Sequence, residues 1–170
     1  MYAKLQNILS RFFKKRILFK YGFNLSPMYK RSTGKIIYVS EDLLHITVKI
    51  PISYKNKNYV GSIFGGSLFS ATDPIFMIQL MNILGKNYVV WDKHASIQFK
   101  RPARTHGFVD FRFTNQEIQD IKRKVDQEKE IDLVKEIKIL NKEASTLFAE
   151  VTKTIYIADK TYYKNKRRKN

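Results

Sequence analysis

Cysteine is absent from the 170-residue sequence, which excludes both disulfide bonds and catalysis by a thiolate. Histidine is scarce, and the histidines are too far apart to show the spacing of metal ligands. They are His45, His94 and His106. The sequence therefore predicts no metal site.

Acidic residues are missing from both ends of the chain. None precedes Glu41, whereas nine lysines and arginines do, and residues 160–170 add six basic residues without an acid. The formal net charge of +17 is thus carried mostly by the two ends. Such ends can attract polyanions or an anionic membrane surface. No RNP-like strand or helix-turn-helix pattern accompanies them, which argues against nucleic acid as the partner.

The most apolar stretch of the sequence lies between Asn58 and Gly85. From Leu68 to Leu84 almost every residue is hydrophobic, which predicts one helix covered on all sides. Gly85 follows the last apolar residue, at the position where a left-handed glycine commonly caps the C-terminus of a helix. Asp73 interrupts the pattern, and the proline after it can bend the helix. A carboxylate taken out of water needs compensation, so Asp73 is either paired or held for chemistry.

The N-terminal segment is predicted to be a basic amphipathic helix over residues 2–20, because apolar residues recur there at helical spacing between lysines and arginines. It could pack as a lid on the domain, lie on an anionic membrane, or act as a targeting segment. We divide the chain into this N-terminal helix at 1–24, one domain at 25–158 and a basic C-terminal tail at 159–170.

Alternation of apolar and polar residues predicts six strands in the rest of the chain. They cover 35–40, 44–50, 88–100, 106–114, 131–140 and 145–158. Asn115 is expected to cap a short charged helix that ends near Glu128. One buried helix needs a sheet long enough to wrap it. The predicted fold is α+β, a hotdog fold with an antiparallel sheet of about six strands around one central helix, plus the N-terminal helix.

A spaced motif in the apolar stretch resembles a known family. The run N-x-x-G-x-x-F-G-G from Asn58 to Gly66, followed after six residues by Asp73, resembles the hotdog-fold acyl-CoA thioesterases of the phenylacetate-pathway type. Together with Y-V-V-W-D-K and F-K-R-P-A, the run F-G-G-S-L-F-S-A-T-D-P resembles a bacterial branch of uncharacterised thioesterase-like hotdog proteins. The resemblance covers roughly residues 25–157. The sequence departs from it at Phe64, where the better-studied branch has histidine.

The chemistry expected of this motif is thioester hydrolysis. The amides of Gly65 and Gly66 can donate to a developing oxyanion at the start of a helix, and Asp73 is the candidate general base or nucleophile. Eight residues along a helix span roughly 12 Å, too far for one carbonyl to meet both groups of a single chain. Two chains must then contribute to each site, and the resemblance likewise implies a site at a dimer interface. A homodimer is expected, with a tetramer as the alternative.

Each of these residues also has a structural interpretation. Asn58 could hold the attacking water, orient the carboxylate, or be an ordinary loop asparagine. The Gly-Gly pair could simply form a tight turn. Asp73 could be a structural carboxylate satisfied by Ser70, Thr72 or Lys93. Phe64 is assigned to substrate binding, without a polar role for its side chain.

Further substrate-binding candidates follow the apolar stretch. Trp91 and Lys93 share one face of a strand and Asp92 takes the other; either Trp91 and Lys93 line an acyl pocket, or the trio combines a core tryptophan with a surface ion pair. Three basic residues surround a proline at a strand end and suit the phosphates of coenzyme A, or else form a solvated loop. They are Lys100, Arg101 and Arg104.

Three functions therefore remain open. The first is hydrolysis of acyl-CoA or acyl-carrier thioesters, with coenzyme A as part of the substrate and no separate cofactor. The second is non-catalytic binding of acyl-CoA or lipid, and the third is binding of polyanions or anionic membranes through the basic ends. We expect a cytoplasmic protein, with peripheral membrane contact through residues 1–20 as an alternative.

Overall fold

The structure, a computed structural model, describes residues 14–169. Its helices are α1 (Lys15–Leu25), α2 (Pro27–Arg31), α3 (Gly65–Ser70), α4 (Ile75–Leu84), α5 (Asn115–Glu128) and α6 (Lys160–Lys169). Its strands are β1 (Lys35–Val39), β2 (His45–Ile50), β3 (Tyr88–Phe99), β4 (Gly107–Arg112), β5 (Glu130–Leu140) and β6 (Leu147–Asp159). All six predicted strands are present, with ends shifted by no more than a few residues.

The strands form one antiparallel sheet in the order β1-β2-β4-β5-β6-β3. The long strands β5 and β6 pair along nearly their whole length, and β6 pairs equally with β3 on its other side. Strands β1 and β3 are the two edges of the sheet. The predicted α+β hotdog architecture is confirmed.

The central helix is divided, so the prediction of one continuous helix over 68–84 is wrong. Helix α3 ends at Ser70, and α4 begins only at Ile75. Proline cannot donate a helical hydrogen bond, and the Asp73–Pro74 peptide is cis. The hydroxyl of Tyr29, which is buried on α2, donates to the carbonyl of Ala71 (2.9 Å) and holds the end of α3. Asp73 therefore lies in a turn between two helices.

The core is built between α4 and the sheet. Phe76 of α4 is fully buried and meets Phe111 and Phe113 edge-on, with ring centroids 4.9 and 5.3 Å apart. By length and apolarity alone, Gly65–Leu84 would suffice to cross a membrane. Half of that segment is buried inside this protein, as in the core helix of a globular domain.

Helix α1 closes one edge of the sheet. Phe19 is buried, and Phe23 stacks on it at 4.9 Å and meets Tyr29 edge-on at 5.2 Å. The side chain of Asn24 exchanges two 2.8 Å hydrogen bonds with the backbone of Ile36 on β1. This packing corresponds to the lid interpretation for the described part of the helix. The predicted helix over 2–20 lies largely outside the described residues, and the domain division remains a prediction.

Two predicted helix caps differ from the observed ones. Thr114, not Asn115, caps α5. The Thr114 hydroxyl accepts a hydrogen bond from the amide of Glu117 (3.1 Å), and the Glu117 carboxylate accepts one from the amide of Thr114 (2.7 Å). Gly85 ends α4 as predicted and has a positive φ of +86°, but its ψ of −167° lies outside the left-handed helical region. Residues 160–169, treated as a tail in the sequence, form helix α6.

Candidate active site

The start of α3 presents unpaired backbone donors. Phe64 precedes the helix and carries no side-chain oxygen that could cap it. Within residues 14–169, the N–H groups of Gly65 and Gly66 find no acceptor. A Cβ atom added to Gly65 would lie 2.7 Å from the ring of Phe99, so the glycine lets an aromatic ring approach the backbone closely.

A pocket of about 350 Å³ opens beside these amides. It brings together four predicted site residues, namely Asn58, Gly65, Lys100 and Arg101. The remaining lining residues are Ser62, Ile63, Leu68, Phe99, Pro102 and Ala103. Arg104 is not part of the lining. We call this cavity, defined by these ten residues, the glycine pocket.

Only part of the predicted basic cluster is free to meet a ligand. Lys100 pairs with Glu150 at 2.8 Å, and this hydrogen bond holds the pKa of the Glu150 carboxyl below its usual range. Arg101 and Arg104 are exposed and form no ion pair with any described residue. Because Arg101 also lines the glycine pocket, it is the cation best placed for an anionic ligand.

Asn58 is engaged within its own turn. Its Oδ1 accepts from the amides of Val60 (3.2 Å) and Ser62 (3.0 Å), and its Nδ2 donates to the Ser62 hydroxyl (2.9 Å). These bonds favour the ordinary loop asparagine over a residue that holds water or orients a carboxylate.

Asp73 belongs to a second group of polar residues at the other end of α3. Its Oδ1 lies 2.5 Å from Lys153 Nζ, and the same nitrogen lies 3.0 Å from Asp92 Oδ2. The structural partners expected from the sequence were Ser70, Thr72 or Lys93, and none of them contacts its carboxylate. Lys93 instead pairs with Asp132 at 2.6 Å. We call Asp73, Asp92 and Lys153 the carboxylate cluster.

The electrostatics of the carboxylate cluster centre on Asp92. Burial raises the pKa of its carboxyl above the usual value, and the neighbouring Asp73 carboxylate adds to this effect. Lys153 acts in the opposite direction but does not cancel the rise. Asp92 Oδ1 is buried and has no hydrogen-bond partner among the described residues.

Comparison with known proteins assigns a family. The family described as Domain of unknown function (DUF4442) matches residues 15–157, most of the chain. The chain belongs to the DUF4442 family. No curated protein matches the sequence significantly.

Solved structures share the fold of this DUF4442 chain at low sequence identity. Pseudomonas aeruginosa PA5026, described as a probable thioesterase, is 16% identical over 85% of this chain and 93% of its own, with a TM-score of 0.70. Escherichia coli PaaI, from the phenylacetic acid degradation operon, is 16% identical over 79% and 86%, with a TM-score of 0.53. A Streptococcus pneumoniae hypothetical thioesterase, solved with coenzyme A, is 15% identical over 81% and 95%, with a TM-score of 0.53.

The sequence interpretation missed Lys153 and placed Asp92 only in a surface ion pair of the Trp91-Asp92-Lys93 trio. A signal for Lys153 was present, because β6 carries apolar residues at alternate positions and Lys153 occupies one of them, between Val151 and Ile155. A lysine in the buried phase of a strand requires a carboxylate partner. No local pattern identifies Asp73 and Asp92 as those partners, since they lie 80 and 61 residues away.

Trp91 is neither a core residue nor part of the glycine pocket. It is 53% exposed on edge strand β3, so the core interpretation is wrong. Lys93 forms a surface ion pair, but with Asp132 and not within the trio, because Asp92 points inward to Lys153. A register shift between Asp92 and His94 marks a bulge in the pairing with β6.

The glycine pocket and the carboxylate cluster are separate within one chain, because Asp73 does not line the pocket. A larger groove of about 480 Å³ lies between α5 and β5, away from both. Its lining is rich in carboxylates, including Glu117, Asp120 and Glu128, which would repel the phosphates of a nucleotide-like ligand. Within residues 14–169, no three His, Asp or Glu side chains are grouped to hold a metal ion.

Proposed function

We propose that this chain is an acyl thioesterase that hydrolyses acyl-CoA or acyl-carrier thioesters. The observation that carries the proposal is the glycine pocket, where Gly65, whose amide is unpaired, and the exposed cation Arg101 line one cavity, with the unpaired amide of Gly66 next in the chain. A thioester substrate offers a carbonyl and, in coenzyme A, several phosphates, which correspond to these two features. The fold shared with proteins described as thioesterases supports the same class of reaction.

The amides of Gly65 and Gly66 would stabilise the oxyanion that forms as the thioester carbonyl is attacked. First-turn N–H groups have no helical acceptor and lie at the positive end of the helix dipole. Such fixed donors need no rearrangement when charge develops, and loss of one costs about 10²–10³ in kcat in a well-studied hydrolase. This role uses backbone atoms only, so phenylalanine in place of histidine at Phe64 does not remove it.

Asp73 would act as general base or nucleophile on a substrate bound in the glycine pocket of a second protomer. Within one chain the two groups lie at opposite ends of α3, so a homodimer is part of the proposal. Strand β3 is an edge of the sheet and carries exposed Trp91 and Phe99, and α4 exposes Met81. An edge with exposed apolar residues is suited to pairing with a second copy.

Specific residues would bind the two ends of the substrate. Arg101, with Lys100 beside it, would contact the phosphates of coenzyme A, while exposed Phe64 and Phe99 offer apolar surface for the acyl chain. No cofactor beyond the substrate's own coenzyme A is proposed.

Non-catalytic binding of acyl-CoA is the second candidate. The observation that favours it is the contact of Asp73 with the Lys153 ammonium, because this ion pair already engages the carboxylate that would have to act as base or nucleophile. The glycine pocket would then serve binding alone.

The test is hydrolysis of acyl-CoA substrates of increasing chain length by the purified chain, with Asp73→Asn measured alongside. Loss of turnover in a variant that keeps its fold and oligomeric state would support the thioesterase. Absence of turnover in the wild type, together with saturable acyl-CoA binding in calorimetry, would establish the binding protein instead. Light scattering of both proteins reports whether the expected dimer forms.

A further inference from the structure

Lys153 occupies a position that the alternation of β6 reserves for apolar side chains. It lies between Val151 and Ile155, both fully buried, and its own side chain is only 1% exposed. An ammonium group removed from water is costly unless carboxylates compensate its charge. The position of Lys153 therefore depends on the two aspartates that contact it.

The two carboxylates differ in their exposure. The Asp92 side chain is 18% exposed and the Asp73 side chain is 57% exposed. Asp92 is thus an inner partner that keeps the ammonium within the protein, and Asp73 is an outer partner that faces solvent. Asp92 lies close to Asp73 because both carboxylates contact the ammonium of Lys153.

The contact with Lys153 engages only one oxygen of Asp73. Lys153 Nζ lies 2.5 Å from Oδ1, and no amide, ammonium or hydroxyl donor within residues 14–169 contacts Oδ2. A carboxylate fixed through Oδ1 loses its freedom to rotate, while Oδ2 can still meet a water molecule or a carbonyl carbon. Fixing a reacting group before the substrate binds lowers the entropic part of the barrier.

We propose that Lys153, which is paired with the inner carboxylate Asp92, is the positioning residue of the Asp73 carboxylate. Lys153 fixes Oδ1 of Asp73 and leaves Oδ2 for the reaction. This inference rests on the proposed thioesterase function. It gives Asp92 and Lys153 a role in turnover although neither touches the substrate. The contact between Asp73 and Lys153, which favours the binding protein in the second candidate function, would then be part of the catalytic arrangement.

The kinetic test is Lys153→Met, which keeps an unbranched apolar side chain and removes the ammonium. We expect kcat to fall about 10- to 100-fold with little change in KM, because the orientation of Asp73 is lost while the substrate contacts remain. Lys93→Met is the matched control, because it removes an exposed lysine that pairs with Asp132.

A purely structural role for Lys153 has a different signature. It would lower stability and the fraction of active protein, while the correctly folded molecules kept the wild-type kcat. A kcat per folded molecule within about twofold of wild type would overturn the proposal. Should Lys153→Met fail to fold, Asp92→Asn removes the inner partner and keeps the shape. A kcat per folded molecule equal to wild type in that variant would then count against positioning.

A second measurement does not depend on turnover. The charged groups acting on Asp92 are Lys153 from β6 and Asp73 from the turn between α3 and α4. In a ¹³C NMR titration of the carboxyl groups, Lys153→Met should raise the already elevated pKa of Asp92 further, and Asp73→Asn should lower it. If neither variant moves the titration, the cluster does not exist in solution. Shifts as expected in a protein without thioesterase activity would overturn the proposed function and leave the cluster intact.

Discussion

The two ends of helix α3 are built in different ways. At its start, the glycine pocket is made mostly of residues from two short segments, 58–68 and 99–103, and its donors belong to the backbone. Beyond its end, the carboxylate cluster joins the turn after α3 to β3 and β6, and its chemistry belongs to side chains. The pocket depends on local chain geometry, whereas the cluster depends on the sheet register that brings three distant residues together.

This difference has a consequence for function. A donor in the backbone tolerates changes of neighbouring side chains, which explains why Phe64 need not abolish the oxyanion site. A carboxylate held by a buried cation tolerates less change, because loss of Lys153 leaves two neighbouring carboxylates without their cation. The two regions should therefore respond differently to substitution.

The largest expected effect concerns the backbone donor of the glycine pocket. Gly65→Pro removes one N–H at the first helical position, where proline is well tolerated, and Phe64 already has the extended ψ of 130° that a following proline requires. We expect kcat for thioester hydrolysis to fall about 10²–10³-fold. Gly65→Ala is the matched control, because it also adds a Cβ against Phe99 but keeps the N–H. Equal losses in the two variants would show that crowding, not the lost donor, is responsible.

Mixed dimers test whether the two regions act across an interface. Asp73→Asn and Gly65→Pro chains, coexpressed with different tags and purified together, should form dimers in which one of the two composite sites is intact. Such dimers should recover about half of the wild-type activity, although each parent dimer is nearly inactive. Mixed dimers as inactive as their parents would mean that Asp73 and Gly65 serve one site within a single chain, or that no dimer forms.

The stability of the chain should distinguish the carboxylate cluster from an exposed ion pair. Lys153→Met is expected to lower the free energy of unfolding by about 2–4 kcal/mol, because it leaves the half-buried Asp92 without its cation. Lys93→Met removes a pair in which both side chains are well exposed, and should cost about 0–1 kcal/mol. Urea denaturation at neutral pH measures both values. Similar losses would contradict the burial of Lys153.

The smallest effect is expected at the cationic wall of the glycine pocket. Arg101→Ala should raise KM for acyl-CoA roughly fivefold, since one solvent-exposed charge contact is worth about 1 kcal/mol. The increase should shrink at high salt and vanish with an acyl-pantetheine substrate, which lacks the nucleotide phosphates. Arg104→Ala carries the same charge change outside the pocket and serves as control. An equal rise in both variants would indicate a general effect of net charge.

Much of the fold could be predicted, because each strand carries its own alternation of apolar and polar residues. The division of the central helix into α3 and α4 was harder to predict from the sequence. Pro74 indicated a bend, but the complete break also depends on the hydrogen bond from Tyr29 to Ala71, which joins residues 42 positions apart. The exposure of Trp91 was missed for a related reason, since local periodicity does not show which face of a strand is covered. On edge strand β3, Trp91 is exposed while its neighbour Val90 is buried.

By itself, the amino-acid sequence determined the six strands and the apolar segment that they cover, and it indicated the Gly65-Gly66 pair as candidate backbone donors. These features arise from side-chain periodicity and from the conformational freedom of glycine, which act over a few residues. Only the tertiary structure decided the partners of Asp73. The Lys153 ammonium is buried by the sheet, and a buried charge takes its counter-ions from whichever carboxylates the strand register places within reach.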